Sequence, residues 1–365
     1  MKKILFLGDF RSGGSERQMV TLAIALKQRG YDVSYFSLVG DGMFMPLVKE
    51  VGIPVLTLKK NRLVQMMKLS IPYDTLCMRR IFREGKYDTA VSFLGFYNFV
   101  NCFYAHKKHT KHRAITGLRN NRDEVFLDFK ERNYTHFERY ADIKVSNSNS
   151  AKERFTKLFP VVTGKMITIY NAVTLPEITS TYAPRKNERL NVVVPASYRE
   201  VKNPMGLCKA LDLMSDQERK SLHVVWYGSL SATSEVAQLR AYIAAHHLDE
   251  VIEVKDATLD IANKMNEADA IGLFSSSEGL PNAVCEGMMI GKAIVMSRVS
   301  DYDILVDENN GALCDWDNPE GIRQALLKLA AKNADEIVAM GQASQHKAER
   351  LFAPDVVVKQ WEEIL

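Results

Sequence analysis

Short apolar runs alternate along the chain with longer stretches whose apolar residues recur at helical spacing. This pattern predicts a parallel β-sheet wrapped by helices, because strands that are buried on both faces are apolar throughout. Ser150 and Glu153 predict a capping box at the start of one helix. The predicted strands are Ile4–Leu7, Val33–Leu38, Val55–Leu58, Thr89–Leu94, Ala114–Leu118, Ile143–Ser146 and Ile167–Tyr170 in the first half, and Val192–Ala196, Val224–Gly228, Ile252–Val254, Ala270–Phe274 and Ala293–Met296 in the second.

A polar segment with two prolines, Leu175–Arg189, interrupts the alternation and predicts an exposed linker. A chain of 365 residues also exceeds the usual size of one hydrophobic core. We therefore predict an α/β protein of two Rossmann-like, doubly wound domains that face each other across a cleft. The predicted domains are 1–173 and 190–353, with a linker over 174–189 and a final helix over 354–365 that crosses back to the first domain.

The net charge of +4 conceals an asymmetry between the two halves. Up to Val173 the chain has 29 Lys and Arg against 15 Asp and Glu, whereas the remainder has 19 against 29. Basic residues concentrate in Lys59–Lys86 and Lys107–Arg122, and three histidines add to the second stretch: His106, His109 and His112. The excess of basic residues in the first half indicates either an ordinary solvated surface or a face that binds an anionic partner, such as lipid headgroups or a phosphate-bearing ligand. Nucleic acid is not favoured as a partner, since no helix-turn-helix, zinc-finger or RNP-type signature accompanies the charge.

The five cysteines are widely spaced and form no Cys-x-x-Cys pair, which indicates a reducing cytoplasm and no structural metal. The first apolar run meets Asp9 and Arg11 too early for a signal-peptide core. The longest run, Phe93–Ala105, contains Asn98 and Asn101 and is shorter than the roughly 20 residues that span a bilayer. Its aromatic side chains are expected in the core or in a wall that faces an acceptor or a membrane. We expect a cytoplasmic protein, soluble or peripheral at the inner face of the plasma membrane.

The first segment with candidate chemistry is Gly8–Glu16, a glycine-containing turn between a predicted strand and a helix. Gly14 would let a phosphate group approach the amino terminus of that helix. The segment matches neither the dinucleotide-binding fingerprint nor a P-loop, and glycines also serve the geometry of any such turn.

The second and stronger segment is Ser275–Gly287, which follows the predicted strand Ala270–Phe274 and therefore lies where α/β sheets place ligands. A turn precedes a helix that begins near Asn282. This arrangement directs the carboxylates of Glu278 and Glu286 and several helix N–H groups toward one site. Carboxylates suit vicinal hydroxyl groups, and a helix amino terminus suits a diphosphate. The alternative is a loop charge and a helix-surface charge without a role in binding.

The sequence Ser-x-x-Glu-Gly-Leu-Pro-Asn-x-x-x-Glu-Gly in this segment resembles the signature of family 4 retaining glycosyltransferases of the GT-B fold, of the bacterial surface-polysaccharide type. The likeness extends over nearly the whole chain. Further matching segments are Gly13–Gly14, Val145–Ser148, Ile169–Val173 and Glu267–Ala270. The resemblance implies that the second domain binds a nucleoside diphosphate sugar and that the first domain binds the acceptor.

The resemblance also implies roles for single residues. Glu286 would bind the ribose hydroxyls, Glu278 would contact the donor sugar, and Gly14 would close on the diphosphate. The segment that would hold the sugar and the diphosphate consists of Gly279, Leu280, Pro281 and Asn282.

A basic pair commonly neutralises the leaving diphosphate in this family. Lys202 matches one member of the pair, but Ser197 stands where the arginine is expected. Arg199 is the nearest substitute, and its alternative is a surface charge. Where family members often have a histidine near the reacting centre, this chain has Arg119, which would contact an acceptor or donor phosphate, or a neighbouring acidic residue.

We therefore expect retaining transfer of a hexose or N-acetylhexosamine to a glycan or lipid-linked glycan acceptor, with UDP as the nucleotide that the resemblance favours. No cofactor and no metal are expected, since two Asp-x-Asp pairs, Asp301–Asp303 and Asp315–Asp317, are interpreted as structural. Two alternatives remain open. A sugar-nucleotide epimerase can share the fold, and a protein that binds sugar nucleotides without catalysis would retain the same site.

Overall fold

The structure, a computed structural model, describes residues 1–11, 13–58, 70–106, 110–119, 139–185, 189–231 and 233–365. It contains two compact units. The first comprises Met1–Ala172 together with Val357–Leu365, and the second comprises Val173–Val356. Within the described ranges, no helix is long and apolar enough to cross a membrane.

The described part of the first unit contains a parallel sheet covered by helices. Its strands are β1 (Lys3–Leu7), β2 (Asp32–Phe36), β3 (Val55–Leu56), β4 (Thr89–Ser92), β5 (Arg113–Leu118), β6 (Ile143–Ser146) and β7 (Met166–Thr168). Its helices are α1 (Gly14–Gln28), α2 (Met45–Glu50), α3 (Ser70–Gly85), α4 (Gly95–His106) and α5 (Asn149–Leu158), with a 3-10 helix at Pro160–Lys165. The strands lie in the order β3-β2-β1-β4-β5-β6-β7.

The described part of the second unit repeats this architecture. Its strands are β8 (Leu190–Pro195), β9 (Leu222–Tyr227), β10 (Ile252–Lys255), β11 (Ala270–Leu273), β12 (Ala293–Ser297) and β13 (Gly311–Cys314). Its helices are α6 (Pro204–Asp212), α7 (Asp216–Arg219), α8 (Thr233–Ala245), α9 (Ile261–Glu267), α10 (Asn282–Ile290), α11 (Tyr302–Leu305), α12 (Pro319–Ala330) and α13 (Ala334–Phe352), with a 3-10 helix at Glu200–Lys202. The strands lie in the order β10-β9-β8-β11-β12-β13 and are all parallel.

Both sheets reverse their strand order once. In the first sheet the reversal lies between β1 and β4, and in the second it lies between β8 and β11. At such a point the two connections leave toward opposite faces of the sheet, so a crevice opens outside the carboxyl ends of the two strands. This topology fixes one candidate ligand position in each unit.

The strands are apolar because helices cover both faces of each sheet. In β1 the side chains of Ile4, Leu5, Phe6 and Leu7 are fully buried, and β12 is buried along its whole length. The prediction of two doubly wound α/β domains is confirmed. Each predicted strand is present with bounds within two residues of those predicted, whereas β13 was not predicted.

The last helix, α14 (Pro354–Ile364), joins the core of the first unit from Val357 onward. Trp361 packs on Phe93 with 5.7 Å between ring centroids. Arg29 pairs with Glu362 at 2.6 Å. The carboxyl-terminal residues are therefore part of the first core, although the chain between Ala172 and Val357 forms the other unit.

The predicted capping box at Ser150 is wrong. The residue that caps α5 is Ser148, whose backbone is extended and whose hydroxyl accepts a hydrogen bond from the Ala151 N–H at 3.2 Å. Ser150 lies inside the first helical turn, where its backbone is already helical and it cannot take the extended cap conformation.

Short polar side chains attach the segment between the two sheets to the second unit. The Asn263 Oδ1 atom accepts hydrogen bonds from the backbone N–H groups of Thr179 and Ser180, both at 2.9 Å. The Tyr182 hydroxyl donates to Asp269 at 2.7 Å. The predicted linker is therefore bonded to the second unit at Thr179, Ser180 and Tyr182 rather than exposed along its whole length.

Candidate functional site

The carboxyl edge of the second sheet brings two loops together at the reversal point. β8 and β11 pair directly, with Val192 opposite Ala270. The loops that follow them are joined by a hydrogen bond from the Ser276 N–H to the Val201 carbonyl at 2.9 Å. Side chains separated by many residues in sequence thus lie side by side.

Lys202 and Glu278 form an ion pair at this point, in which the Lys202 ammonium donates to Glu278 Oε1. The Ser275 hydroxyl donates to the same oxygen at 2.6 Å. The side chains of Lys202 and Glu278 are only 20% and 12% exposed, so the pair is shielded from most solvent. The two loops therefore present a carboxylate and an ammonium in fixed positions.

Ser275 is a residue of the site for which no role was predicted. Its position three residues before Glu278 is the signal that a loop carboxylate has a local hydroxyl donor, since serine often bonds a near neighbour in turns. This bond orients the carboxylate for whatever else it binds.

Two further hydroxyl groups fix the backbone of this loop. Ser297 donates to the Ser275 carbonyl at 2.6 Å, and Ser300 donates to the Gly279 carbonyl. Ser300 has a φ of 57°, a left-handed conformation that is unusual for a residue with a side chain. The loop from Ser275 to Gly279 is thus attached to the segment that follows β12.

Helix α10 begins immediately after this loop. Its N-cap residue, Pro281, provides no side-chain hydrogen bond to the first turn. Gly287 lets the helix lie close to the sheet, because a Cβ atom there would be 2.6 Å from the Ile271 side chain. Glu286 is half-buried on the same helix, and Leu280 is buried before it. The helix start and the two glutamates therefore belong to one continuous segment.

Arg199 lies in the loop after β8, just before the 3-10 helix that contains Lys202. Its Nε atom donates to the Ser197 hydroxyl at 3.2 Å, and its side chain is exposed. Ser197, which occupies the position expected for an arginine, thus holds the substitute arginine instead.

Comparison with known proteins identifies this architecture. The sequence model of Glycosyltransferase Family 4 matches residues 12–176, and that of Glycosyl transferases group 1 matches residues 189–332. Over the full length of both chains, a Haemophilus influenzae protein described as a glycosyltransferase is 23% identical, and the amylovoran biosynthesis glycosyltransferase AmsD of Erwinia amylovora is 21% identical.

The chain belongs to the family 4-type glycosyltransferases. Among solved structures, Anabaena HepE in complex with UDP and glucose is similar, with a TM-score of 0.80, 17% identity and coverage of 100% of this chain and 99% of that one. The likeness shows that the glycosyltransferase has the GT-B fold.

Two predicted site residues of the glycosyltransferase lie in its first unit. Gly14 begins α1. Arg119 follows β5, where its guanidinium lies 3.7 Å from the centre of the Phe93 ring and donates to Asn171 Oδ1 at 3.0 Å. Burial lowers the pKa of Arg119 to about 9. Among the described residues, Arg119 thus contacts an aromatic ring and an amide group.

Two buried residues in the basic half of the glycosyltransferase carry less positive charge than predicted. Burial lowers the pKa of His112 to about 4, so this histidine is neutral at pH 7 and does not add to the charge as predicted. Lys144 is 1% exposed, and burial lowers its pKa to about 7. Much of the two predicted basic stretches, including 59–69, 107–109 and 120–122, lies outside the described residues.

In the described part of the glycosyltransferase, no group of three or more His, Cys, Asp or Glu side chains is arranged to hold a metal ion. Of the two Asp-x-Asp pairs, Asp315 forms an ion pair with Arg298 at 3.1 Å, and Asp301 is 2% exposed.

Proposed function

We propose that this glycosyltransferase transfers a hexose or N-acetylhexosamine, with retention of configuration, from a UDP-sugar to a glycan or lipid-linked glycan. The observation that carries the proposal is the Lys202–Glu278 ion pair, fixed beside the start of α10 at the reversal point of the second sheet. The UDP and glucose in the similar HepE structure support the choice of donor.

In the proposed donor site, Glu286 binds the ribose hydroxyls and Glu278 binds a hydroxyl of the sugar. A carboxylate accepts up to about four hydrogen bonds. Oε1 of Glu278 already receives two, from Lys202 and Ser275, and these fix the orientation of the group. The segment Gly279–Asn282 lies between the two glutamates and holds the sugar and the diphosphate.

Positive groups stabilise the leaving diphosphate in this proposal, and no metal is required. The Lys202 ammonium has three N–H donors, so it can bond Glu278 and a phosphate oxygen together. Arg199 adds a second charge from the same loop, and the amino terminus of α10 adds its dipole. Fixed positive groups of this kind stabilise the negative charge that develops on the leaving diphosphate in the transition state.

The proposed reaction takes place on one face of the sugar. The bond from the anomeric carbon to the diphosphate oxygen breaks, and the acceptor oxygen bonds to the same carbon on the same face. The acceptor proton passes to the leaving diphosphate oxygen, so no protein base is needed. The configuration at the anomeric carbon is thereby retained.

We propose an acceptor of the surface-polysaccharide class, presented at an anionic membrane. The relationship to an amylovoran biosynthesis enzyme supports the polysaccharide. Exposed arginines on α3, among them Arg79 and Arg83, support the membrane surface. Co-sedimentation with anionic vesicles tests this association, and equal binding to neutral vesicles would count against it.

The donor assignment is tested by thermal unfolding with UDP-, GDP-, ADP- and dTDP-sugars. We expect a shift of several degrees with UDP-sugars, because a ligand that binds the folded state stabilises it. The shift should disappear in Glu286→Ala and persist in Glu320→Ala, which removes a glutamate from the first turn of α12 in the same unit. Absence of a shift with every sugar nucleotide would overturn the donor site.

Retention is tested separately, by NMR of the transferred sugar. The coupling at the anomeric proton should give the same configuration in the product as in the donor. The opposite configuration would overturn retention and leave the donor site standing.

A further inference from the structure

Asp9 lies at the carboxyl edge of the first sheet, two residues after β1 ends. β1 and β4 are the two strands between which this sheet reverses its order. Asp9 therefore resembles Glu278 of the second unit, since each follows a strand that borders the reversal point of its sheet. The donor site as proposed does not use it.

Two hydroxyl groups hold one oxygen of the Asp9 carboxylate. Tyr97, on the helix that follows β4, donates to Oδ1 at 2.5 Å, and Ser37, directly after β2, donates to it at 3.1 Å. Burial and the bond to Asp9 raise the pKa of Tyr97, so its hydroxyl stays protonated as a donor. Groups from two strand ends thus converge on one oxygen of a carboxylate that follows a third strand.

The second oxygen has a different environment. Oδ2 lies 3.7 Å from Nε of Arg11, whose side chain is 71% exposed, while the Asp9 side chain is 14% exposed. An exposed arginine at this distance balances the charge of Asp9 and can move aside at little cost. The carboxylate is consequently fixed at Oδ1, whereas Oδ2 faces an exposed arginine.

The charge of this position selects the class of ligand. A carboxylate repels phosphate groups but accepts hydrogen bonds from neutral hydroxyls, and its bonds to them are stronger than those of an uncharged acceptor. We propose that Asp9 binds a hydroxyl group of the acceptor sugar, with Tyr97 and Ser37 as positioning residues. This inference rests on the proposed glycosyl transfer and assigns its acceptor a contact in the first unit.

The test is Asp9→Asn, assayed with the sugar nucleotide that stabilises the chain and with methyl glycosides of glucose, galactose, mannose and N-acetylglucosamine as acceptors. The amide oxygen can still accept from Tyr97 and Ser37, whereas the group facing Arg11 becomes a donor. We expect kcat/KM for the accepted glycoside to fall about tenfold or more, since a hydrogen bond to a charged group is lost. Thermal stabilisation by the donor should persist.

The matched control is Asp32→Asn, which changes an aspartate at the first residue of β2, where it pairs with Lys3 at 3.6 Å. We expect its kcat/KM to stay within about twofold of the wild type, since charge pairs at the surface contribute little. If Asp9→Asn does not fold, Tyr97→Phe gives the second test: it removes one bond to Asp9 and should raise the glycoside KM while kcat stays nearly constant.

Equal kcat/KM in the wild type and Asp9→Asn would overturn the inference, and so would a wild type whose UDP release responds to none of the glycosides. Loss of donor-induced stabilisation in the wild type itself would instead overturn the proposed function.

Discussion

Lys202 and Glu278 are 76 residues apart in sequence, yet their side chains form an ion pair at the carboxyl edge of the second sheet. The order of the strands explains the contact. β8 and β11 are neighbours in the sheet although two strands and their helices separate them along the chain. The loops that follow both strands must therefore meet at the same edge, and each carries one member of the pair.

Removing the Lys202 ammonium should abolish most of the transferase activity. We expect Lys202→Met to lower kcat by roughly 100-fold or more, which is the size of effect seen when a charge-stabilising group is removed from an active site. The melting temperature should also fall, because Glu278 is left in a partly buried position without its partner. Steady-state rates of nucleotide release and thermal unfolding measure the two effects.

Lys347→Met is the matched control for this variant. Lys347 pairs with Asp307 at 2.8 Å in the same unit, and its side chain is 17% exposed, close to the value for Lys202. Its kcat should stay within about twofold of the wild type, since this surface pair contributes mainly to stability. Similar losses of kcat in both variants would show that the first effect is general destabilisation.

Gly287→Ala should destabilise the second unit even though alanine favours helices. The new Cβ atom would meet the buried Ile271 side chain at 2.6 Å, and such overpacking costs about 1–3 kcal/mol. The displaced helix would carry Glu286 with it, so donor-induced stabilisation should weaken. Urea unfolding measures the first effect and thermal shift the second.

Gly95→Ala is the same substitution at a position where we expect it to raise the free energy of unfolding instead of lowering it. Gly95 begins α4, is exposed, and has no described atom within 4 Å of the position of a Cβ. The gain in helix propensity is up to about 1 kcal/mol. If both alanine variants are destabilised to the same extent, close packing of α10 is not the cause.

Tyr182→Phe tests how firmly the segment between the sheets is attached to the second unit. The hydroxyl bonds Asp269, a carboxylate that is 3% exposed, so its loss should lower the free energy of unfolding by about 1.5–3 kcal/mol. The phenylalanine ring keeps the contact with the Lys292 ammonium, which lies 3.5 Å from the ring centre. An unchanged urea midpoint would mean that this bond does not hold the segment.

The sequence predicts those features that depend on local pattern. Twelve strands follow from apolar runs, and the turn before Asn282 follows from its glycine and proline, so the start of α10 appears where the pattern places it. β13 escapes prediction because it is a four-residue strand that begins with Gly311 and follows a polar turn. A short run of that composition has no periodic signal.

Features that depend on three-dimensional packing are not visible in the sequence. Arg119 stands where the family often has a histidine, but its contacts with the ring of Phe93 and the amide of Asn171 join residues that are distant in sequence. The convergence of Tyr97 and Ser37 on Asp9 depends on the order of three strands. A linear pattern assigns residues to strand ends, and only the strand order determines which of those ends are adjacent.

His112 gives the first unit a pH-dependent stability. Its ring stacks on Phe82 with 4.6 Å between centroids, and its nitrogens lie 2.8 Å from Thr110 Oγ1 and 2.9 Å from Asn101 Oδ1. Burial lowers its pKa from 6.5 to about 4 in the folded state. Between these two values the unfolded chain binds a proton that the folded chain does not, so the free energy of unfolding decreases as the pH falls through this window.

The size of the effect follows from the shift, since each pKa unit corresponds to about 1.4 kcal/mol. Lowering the pH from 7 to 5 should cost the wild type roughly 2 kcal/mol through this histidine alone. His112→Gln keeps a polar side chain but cannot take up the proton. Between pH 7 and pH 5 its free energy of unfolding should therefore fall by roughly 2 kcal/mol less than that of the wild type. Urea unfolding of both proteins at the two pH values measures the difference, in which the carboxylates common to both cancel. If the free energy of unfolding falls equally in both proteins, His112 has the same pKa in the folded and unfolded states. That result would contradict a histidine that burial keeps neutral in the fold.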